Sequence, residues 1–141
     1  MIKSVKLSEE IVVTTKNKVG LLADIALLLA AEGVNIEAVA GYETGSTAKL
    51  LLITSANLIV VGELRRKKYR SVKEIEVVAV ELENKPGSLK VVTTELGNNK
   101  IDIKHLYLTS PSAGGSSRMY LETSDNEKTI ALLSNYIETG E

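Results

Sequence analysis

Asn17-Lys18-Val19-Gly20-Leu21-Leu22 returns, 67 positions later, as Asn84-Lys85-Pro86-Gly87-Ser88-Leu89. The match extends in the same register in both directions. Upstream, Ser4-Val5-Lys6 falls on Ser71-Val72-Lys73, Glu9 on Glu76 and Val13 on Val80. Downstream, Leu29 falls on Leu96 and Ile36 on Ile103. The offset then grows to 69, so that Thr54-Ser55 meets Thr123-Ser124. The two added residues fall in the Gly/Ser stretch from Ser112 to Ser117, where a surface loop tolerates insertion. A repeat held in one register predicts two copies of one small module, residues 1–70 and 71–141.

Each copy alternates two hydrophobic periods. Ile11 to Thr15 is β-branched and suits a buried strand. From Gly20 to Glu32 the apolar residues Leu22, Ile25, Ala26 and Leu29 share one helical face, and Gly33 supplies the stop. Val34 to Tyr42 alternates as a half-buried strand does, Thr44-Gly45-Ser46 turns the chain, and Ala48 to Thr54 is a nearly all-apolar strand. A second helix is expected over Ala56 to Lys68, then extended chain from Tyr69 to Glu83. The hydrophobic phase changes between Val77 and Val78, which predicts a bulge or a sheet crossing there. The second copy reads as helix over Gly87 to Asn98 and strands over Ile101 to Leu108 and Arg118 to Thr123. Its last helix begins at Ser124, with Glu127 three residues on as a capping box.

Strand, helix, strand, strand, helix, strand is the ferredoxin-like order. Right-handed crossovers place both helices on one face of an antiparallel sheet ordered 4-1-3-2. The fold class is α+β. The second copy runs out after its helix, because Glu138-Thr139-Gly140-Glu141 is too short and polar for a fourth strand. Residues 2–7 match the place of the first copy's fourth strand. They are expected to complete the second module's sheet, in the same chain or a partner chain, since an open edge invites aggregation.

Composition narrows the function. The chain has 141 residues, net charge −1, no cysteine and one histidine. Disulfides, thiolate zinc sites and cysteine nucleophiles are excluded. A near-neutral chain is a poor phosphate-backbone binder, so no nucleic-acid partner is expected. No apolar run of about 18 residues is present, so no membrane span is expected. The start, MIKSVKLSEE, lacks a secretory pattern, and a cytoplasmic protein is expected. His105 stands alone on a strand, no residues have metal-ligand spacing, and the Gly114-Gly115 pair lacks a strand-to-helix context. The chain is therefore read as no enzyme, with no catalytic residues, no metal and no cofactor. The basic run Arg65 to Arg70 reads as a solvated helix end.

The junction quoted first is the candidate ligand site. Gly20 and Gly87 let the backbone turn tightly and approach a ligand. The N–H groups that open the following helix lack intrahelical partners and suit a carboxylate. Asn17 and Asn84 donate and accept hydrogen bonds. Asn35 and Asp102 open the edge strand and could accept from an ammonium group. A carboxylate at one end and an ammonium at the other describe a free amino acid. Asn-x-x-Gly is also simply a good turn.

The residues NKVGLLADIALLLAAEGVNIEAV, and more loosely NKPGSLKVVTTELGNNKIDIKHL, resemble those of ACT domains, small ferredoxin-like modules that sense amino acids. The resemblance covers residues 9–68 and 76–138. It implies two tandem ACT modules without a catalytic domain, associated side by side, with an effector held between modules. The implied site residues are Asn17, Val19, Gly20, Leu21, Leu22, Asn35 and Ile36, with Asn84, Pro86, Gly87, Ser88, Leu89, Asp102 and Ile103 in the second copy. In the similar regulatory domain of phosphoglycerate dehydrogenase, serine meets asparagines at the positions of Asn17 and Asn35. That pattern has histidine where this chain has Thr15 and Leu82, so serine itself is not implied. Asp102 stands where that pattern has asparagine, and Val19 where it has proline. The implied partners are a free amino acid, a second copy in a homodimer or higher homo-oligomer, and a regulated enzyme that the sequence does not name. The alternative is an assembly module that pairs with proteins and binds no small molecule.

Overall fold

The computed structural model describes residues 1–112 and 114–137, and among them six strands and four helices. They run β1 (Ile2–Lys16), α1 (Leu21–Ala31), β2 (Ile36–Thr44), β3 (Thr47–Thr54), α2 (Asn57–Arg66), β4 (Ser71–Glu83), α3 (Ser88–Asn98), β5 (Ile103–Thr109), β6 (Ser116–Thr123) and α4 (Asn126–Ser134). The fold is α+β. The pairs β1–β3, β2–β3, β4–β6 and β5–β6 are antiparallel. The terminal segment from Glu138 and one residue of the Gly/Ser stretch lie outside the described residues.

Contacts gather the chain into two compact units. The first is Glu9–Ile75, and the second joins Met1–Ser8 to Glu76–Glu141. The repeat boundary between residues 70 and 71 stands at the entrance to β4. Both β1, of 15 residues, and β4, of 13, are much longer than an ordinary strand, because each passes from one unit to the other along its length. β4 stays unbroken through the phase change at Val77 and Val78. Its Val72 belongs to the core of the first unit, whereas Val78, Val80 and Leu82 belong to the core of the second.

In the first unit the strand order is β2-β3-β1-β4. Ile11 pairs with Leu52 and Val13 with Leu50, so these four share one face of the sheet. That face meets Ile25 and Leu29 of α1 and Val60 and Leu64 of α2 in one buried cluster. Leu51 and Ile53 are buried on the opposite face, which is why β3 is apolar at consecutive positions rather than alternating. Past α1, the N–H of Val34 reaches back to the Leu29 carbonyl and Gly33 takes φ 70, a left-handed helix stop.

In the second unit the order is β5-β6-β4-β1. Ile2 is fully buried with Val78, Val80 and Leu82 of β4, Val92 and Leu96 of α3, and Leu133 of α4. The N–H of Glu83 donates to the Met1 carbonyl at 2.8 Å, and Ile2 bridges Ile137 in parallel.

The same side-chain clamps recur in both units. Asn57 donates to the Glu9 carbonyl at 3.1 Å and accepts from the Thr54 hydroxyl at 2.6 Å. Asn126 donates to the Glu76 carbonyl at 2.9 Å and accepts from the Thr123 hydroxyl at 2.9 Å. The Asn35 N–H donates to Ser55 Oγ and the Asp102 N–H to Ser124 Oγ, each at 3.0 Å. This last contact replaces the expected capping box. Ser124 is occupied with Asp102, and the cap of α4 is Asp125, whose carboxylate accepts from the Lys128 N–H at 3.0 Å.

Candidate functional site

At the end of β1 the Asn17 N–H donates to the Ser46 carbonyl at 2.7 Å, which ties the loop to the β2–β3 turn. The Leu21 N–H then bonds back to the Lys18 carbonyl at 3.3 Å. Gly20 is the N-cap of α1 at φ 85, in the left-handed region. A Cβ on Gly20 would meet nothing within 4 Å, so the dihedral, not space, requires glycine. Gly87 repeats this geometry at φ 91 before α3. Neither glycine brings a side-chain cap, unlike Asp125 at α4. The donors of the first turn are therefore not covered by a capping side chain. Gly20→Ala is expected to lower stability by about 1–2 kcal/mol through the left-handed backbone alone. Thermal unfolding checks this, and an unchanged melting temperature contradicts it.

The first junction borders a cleft of about 520 Å³, the size of a small-molecule site. Asn17, Gly20, Leu21 and Leu22 line it from the junction, and Val39, Gly41, Tyr42, Ala48 and Leu50 from β2 and β3. Leu21 is buried, Leu22 half-exposed and Val19 fully exposed outside the lining. The Asn17 side chain has no hydrogen-bond partner among the described residues. Lys18 beside it pairs with Asp24 at 2.9 Å, and this hydrogen bond holds the Lys18 ammonium above its usual pKa. The sequence pattern marks none of the β2 and β3 lining residues, and Gly41 is the one with a structural reason. A Cβ on it would come within 2.7 Å of Leu50 Cδ2, so glycine lets Leu50 form the floor. A lone glycine inside an alternating strand was the available signal.

Asn35 lies elsewhere. Its backbone pairs with Ser55, at the far end of β3 from Ser46. The eight residues of β3 separate the two asparagines by on the order of 25 Å. Ile36 packs against the first core, at a register shift in β2. Asn35 thus opens the edge strand β2 while Asn17, just past β1, lies beside the turn at the other end of β2, and one unit does not bring them to one ligand.

The second junction is more occupied. Asn84 Nδ2 donates to the Pro111 carbonyl at 3.1 Å, and the Met1 side chain lies 3.5 Å from where a Gly87 Cβ would stand. Pro86 and Leu89 are exposed. Asp102 mirrors Asn35, and Ile103 packs against the second core. Ser88 is buried, and its hydroxyl has no hydrogen-bond partner among the described residues. Ser88→Ala is expected to leave stability unchanged or raise it by up to about 1 kcal/mol, because an unsatisfied hydroxyl is removed. A loss of stability in urea unfolding would contradict this.

His105 Nδ1 lies 3.2 Å from Glu122 Oε2, and its ring is parallel to that of Tyr107 with centroids 6.4 Å apart. Among the described residues no three His, Cys, Asp or Glu side chains group as metal ligands, and no helix is long and apolar enough to cross a membrane.

No family model and no curated protein matches the sequence. Solved structures do match the fold. A protein from Bacteroides thetaiotaomicron is 22% identical, with a TM-score of 0.85 over 94% of this chain and 90% of its own. The ligand-free regulatory subunit of aspartate kinase from Thermus thermophilus is 10% identical, with a TM-score of 0.67 over 98% of this chain and all of its own. The aspartate kinase of Clostridium acetobutylicum, described as an allosteric enzyme, is 17% identical with a TM-score of 0.57, over 98% of this chain but 35% of its own. At such identities the likeness shows the fold alone, a ferredoxin-like α+β arrangement.

Proposed function

We propose that this chain is a tandem pair of ACT modules that binds a free amino acid and reports its occupancy to a regulated partner, with no catalysis of its own. One observation carries the reading. The left-handed Gly20 holds the uncapped first turn of α1, together with the free Asn17 amide, at a cleft of small-molecule size. A carboxylate suits those donors. The recurrence of the Asn57 and Asn126 clamps supports duplication of one module. A fold shared with a regulatory subunit of aspartate kinase supports a regulatory role.

The separation of Asn17 from Asn35 favours a site completed by a second module edge. β2 is an edge strand, and two such edges laid antiparallel bring Asn17 of one to Asn35 of the other. A homodimer or higher homo-oligomer of a cytoplasmic protein fits this arrangement. A ligand that touches both edges favours the packed state and so shifts the equilibrium between two arrangements. The second site, with Asn84 held by Pro111 and Asp102 in place of an asparagine, is weaker or takes a more cationic group. A thermal-shift screen of free amino acids tests the proposal. One of them, at a hundredfold excess over its dissociation constant, is expected to stabilise by about 2.7 kcal/mol. No shift with any amino acid leaves the assembly module, whose open β2 and β5 edges then serve protein partners.

A further inference from the structure

The first unit holds another cleft, of about 650 Å³, which shares Lys18 and Leu21 with the Asn17 cleft but none of its other lining residues. It lies between α1, the end of β1 and the link from α2 to β4. Lys16, Lys18, Lys67 and Lys68 are among the residues that line it, against one acidic residue, Asp24. That carboxylate is already paired with Lys18 at 2.9 Å. Lys16 and Lys68 have no ion pair among the described residues. In a chain of net charge −1 this is a concentrated positive surplus. The lining between the lysines is apolar, from Leu27 and Leu28, with hydroxyls on Thr15 and Tyr69.

The backbone sets where Lys68 stands. Lys68 takes φ 62, left-handed, just past the C-cap of α2. Its N–H bonds to the Arg65 carbonyl at 2.9 Å, and the Tyr69 N–H to the Leu64 carbonyl at 3.3 Å. This is a helix-stop geometry in which glycine is the favoured residue, and α1 does end on a glycine in it. At α2 a lysine takes that place under strain, as Lys100 does after α3 at φ 56, and Lys68 is one of the residues lining the cleft. The two hydrogen bonds also cap terminal carbonyls of α2, which would otherwise repel an anion.

We propose that this cleft binds a small organic phosphate, a molecule with at least two negative charges on an apolar or planar body. Phosphate supplies concentrated charge and several acceptors, and lysine meets it as a point charge. The leucines receive the uncharged body. A concave site of this volume holds one small molecule rather than tracking a nucleic-acid strand.

Titration calorimetry on the full chain with ATP, pyrophosphate and inorganic phosphate tests this. ATP is expected to bind one per chain, more tightly than pyrophosphate, and to weaken with added salt. The double variant Lys67→Glu, Lys68→Glu should weaken binding by about tenfold or more. Lys6→Glu, a charge reversal outside the cleft, should not. Lys68→Gly separates fold from binding: its melting temperature should rise as strain is released, while its affinity for ATP falls. No binding of any of the three at millimolar concentration overturns the proposal. So does an equal loss in Lys6→Glu, which marks diffuse attraction, or unchanged affinity in Lys68→Gly. Equal affinity for pyrophosphate and ATP overturns the role of the leucines.

Discussion

Replacing Ile2 by alanine is expected to destabilise the protein by about 2–5 kcal/mol, the cost of truncating a fully buried aliphatic side chain. The sequence places residue 2 in a segment, residues 2–7, expected to complete the second module's sheet. In the structure it closes the second core, against Val78, Val80 and Leu82 of β4 and Leu133 of α4. Those partners lie more than seventy residues away along the chain, so the contact joins the two ends of the unit. The loss should appear as a lower urea midpoint. Leu7→Ala, at a side chain 49% exposed on the same strand, is the control and should cost well under 1 kcal/mol. Equal effects at the two positions would show that β1 contributes by strand pairing alone, with no packing from Ile2.

Asn17→Ala combined with Asn35→Ala is expected to abolish amino-acid-dependent stabilisation, about 2.7 kcal/mol at a hundredfold excess of ligand, while leaving the unliganded fold intact. The Asn17 and Asn35 side chains make no hydrogen bond to other described residues, so their removal leaves no buried group unpaired. Because Asn35 opens β2 and Asn17 lies beside the turn that closes it, each single variant alone should also lose the response. A mixture of the two singles, unfolded and refolded together, should regain part of it. A mixed dimer has one junction with Asn17 facing an Asn35 from the other chain. Binding that survives in the double variant would reject the first-junction site. Recovery that fails in the mixture would reject a site shared between chains.

Much of this architecture was readable one neighbourhood at a time. Gly20 and Gly87 announced tight turns, which the fold makes with left-handed glycines, because a backbone dihedral depends on its own residue. Gly33 announced a helix stop for the same reason, and the face formed by Ile25 and Leu29 followed from helical periodicity. Ser124 was misread because a serine before a helix with a glutamate three residues on satisfies a local rule. The tertiary fold instead brings Asp102 to that serine and leaves the cap to Asp125. Asn57 and Asn126 escaped notice for the same cause. Their partners, the Glu9 and Glu76 carbonyls, are about fifty residues away and belong to neighbouring strands.

By itself the sequence determined the period of the repeat, the type of each element and the two glycine-led junctions, since these rest on dihedral preference and apolar spacing within a few residues. Only the tertiary structure decided that Gly41 yields to Leu50 beneath the Asn17 cleft, that Pro111 occupies Asn84 while Asn17 stays free, and that four lysines from the end of β1 and two loops line one hollow. Those outcomes depend on strand register and on how helices seat against a sheet. Register and seating are set by the whole core at once, through side chains that no local window contains.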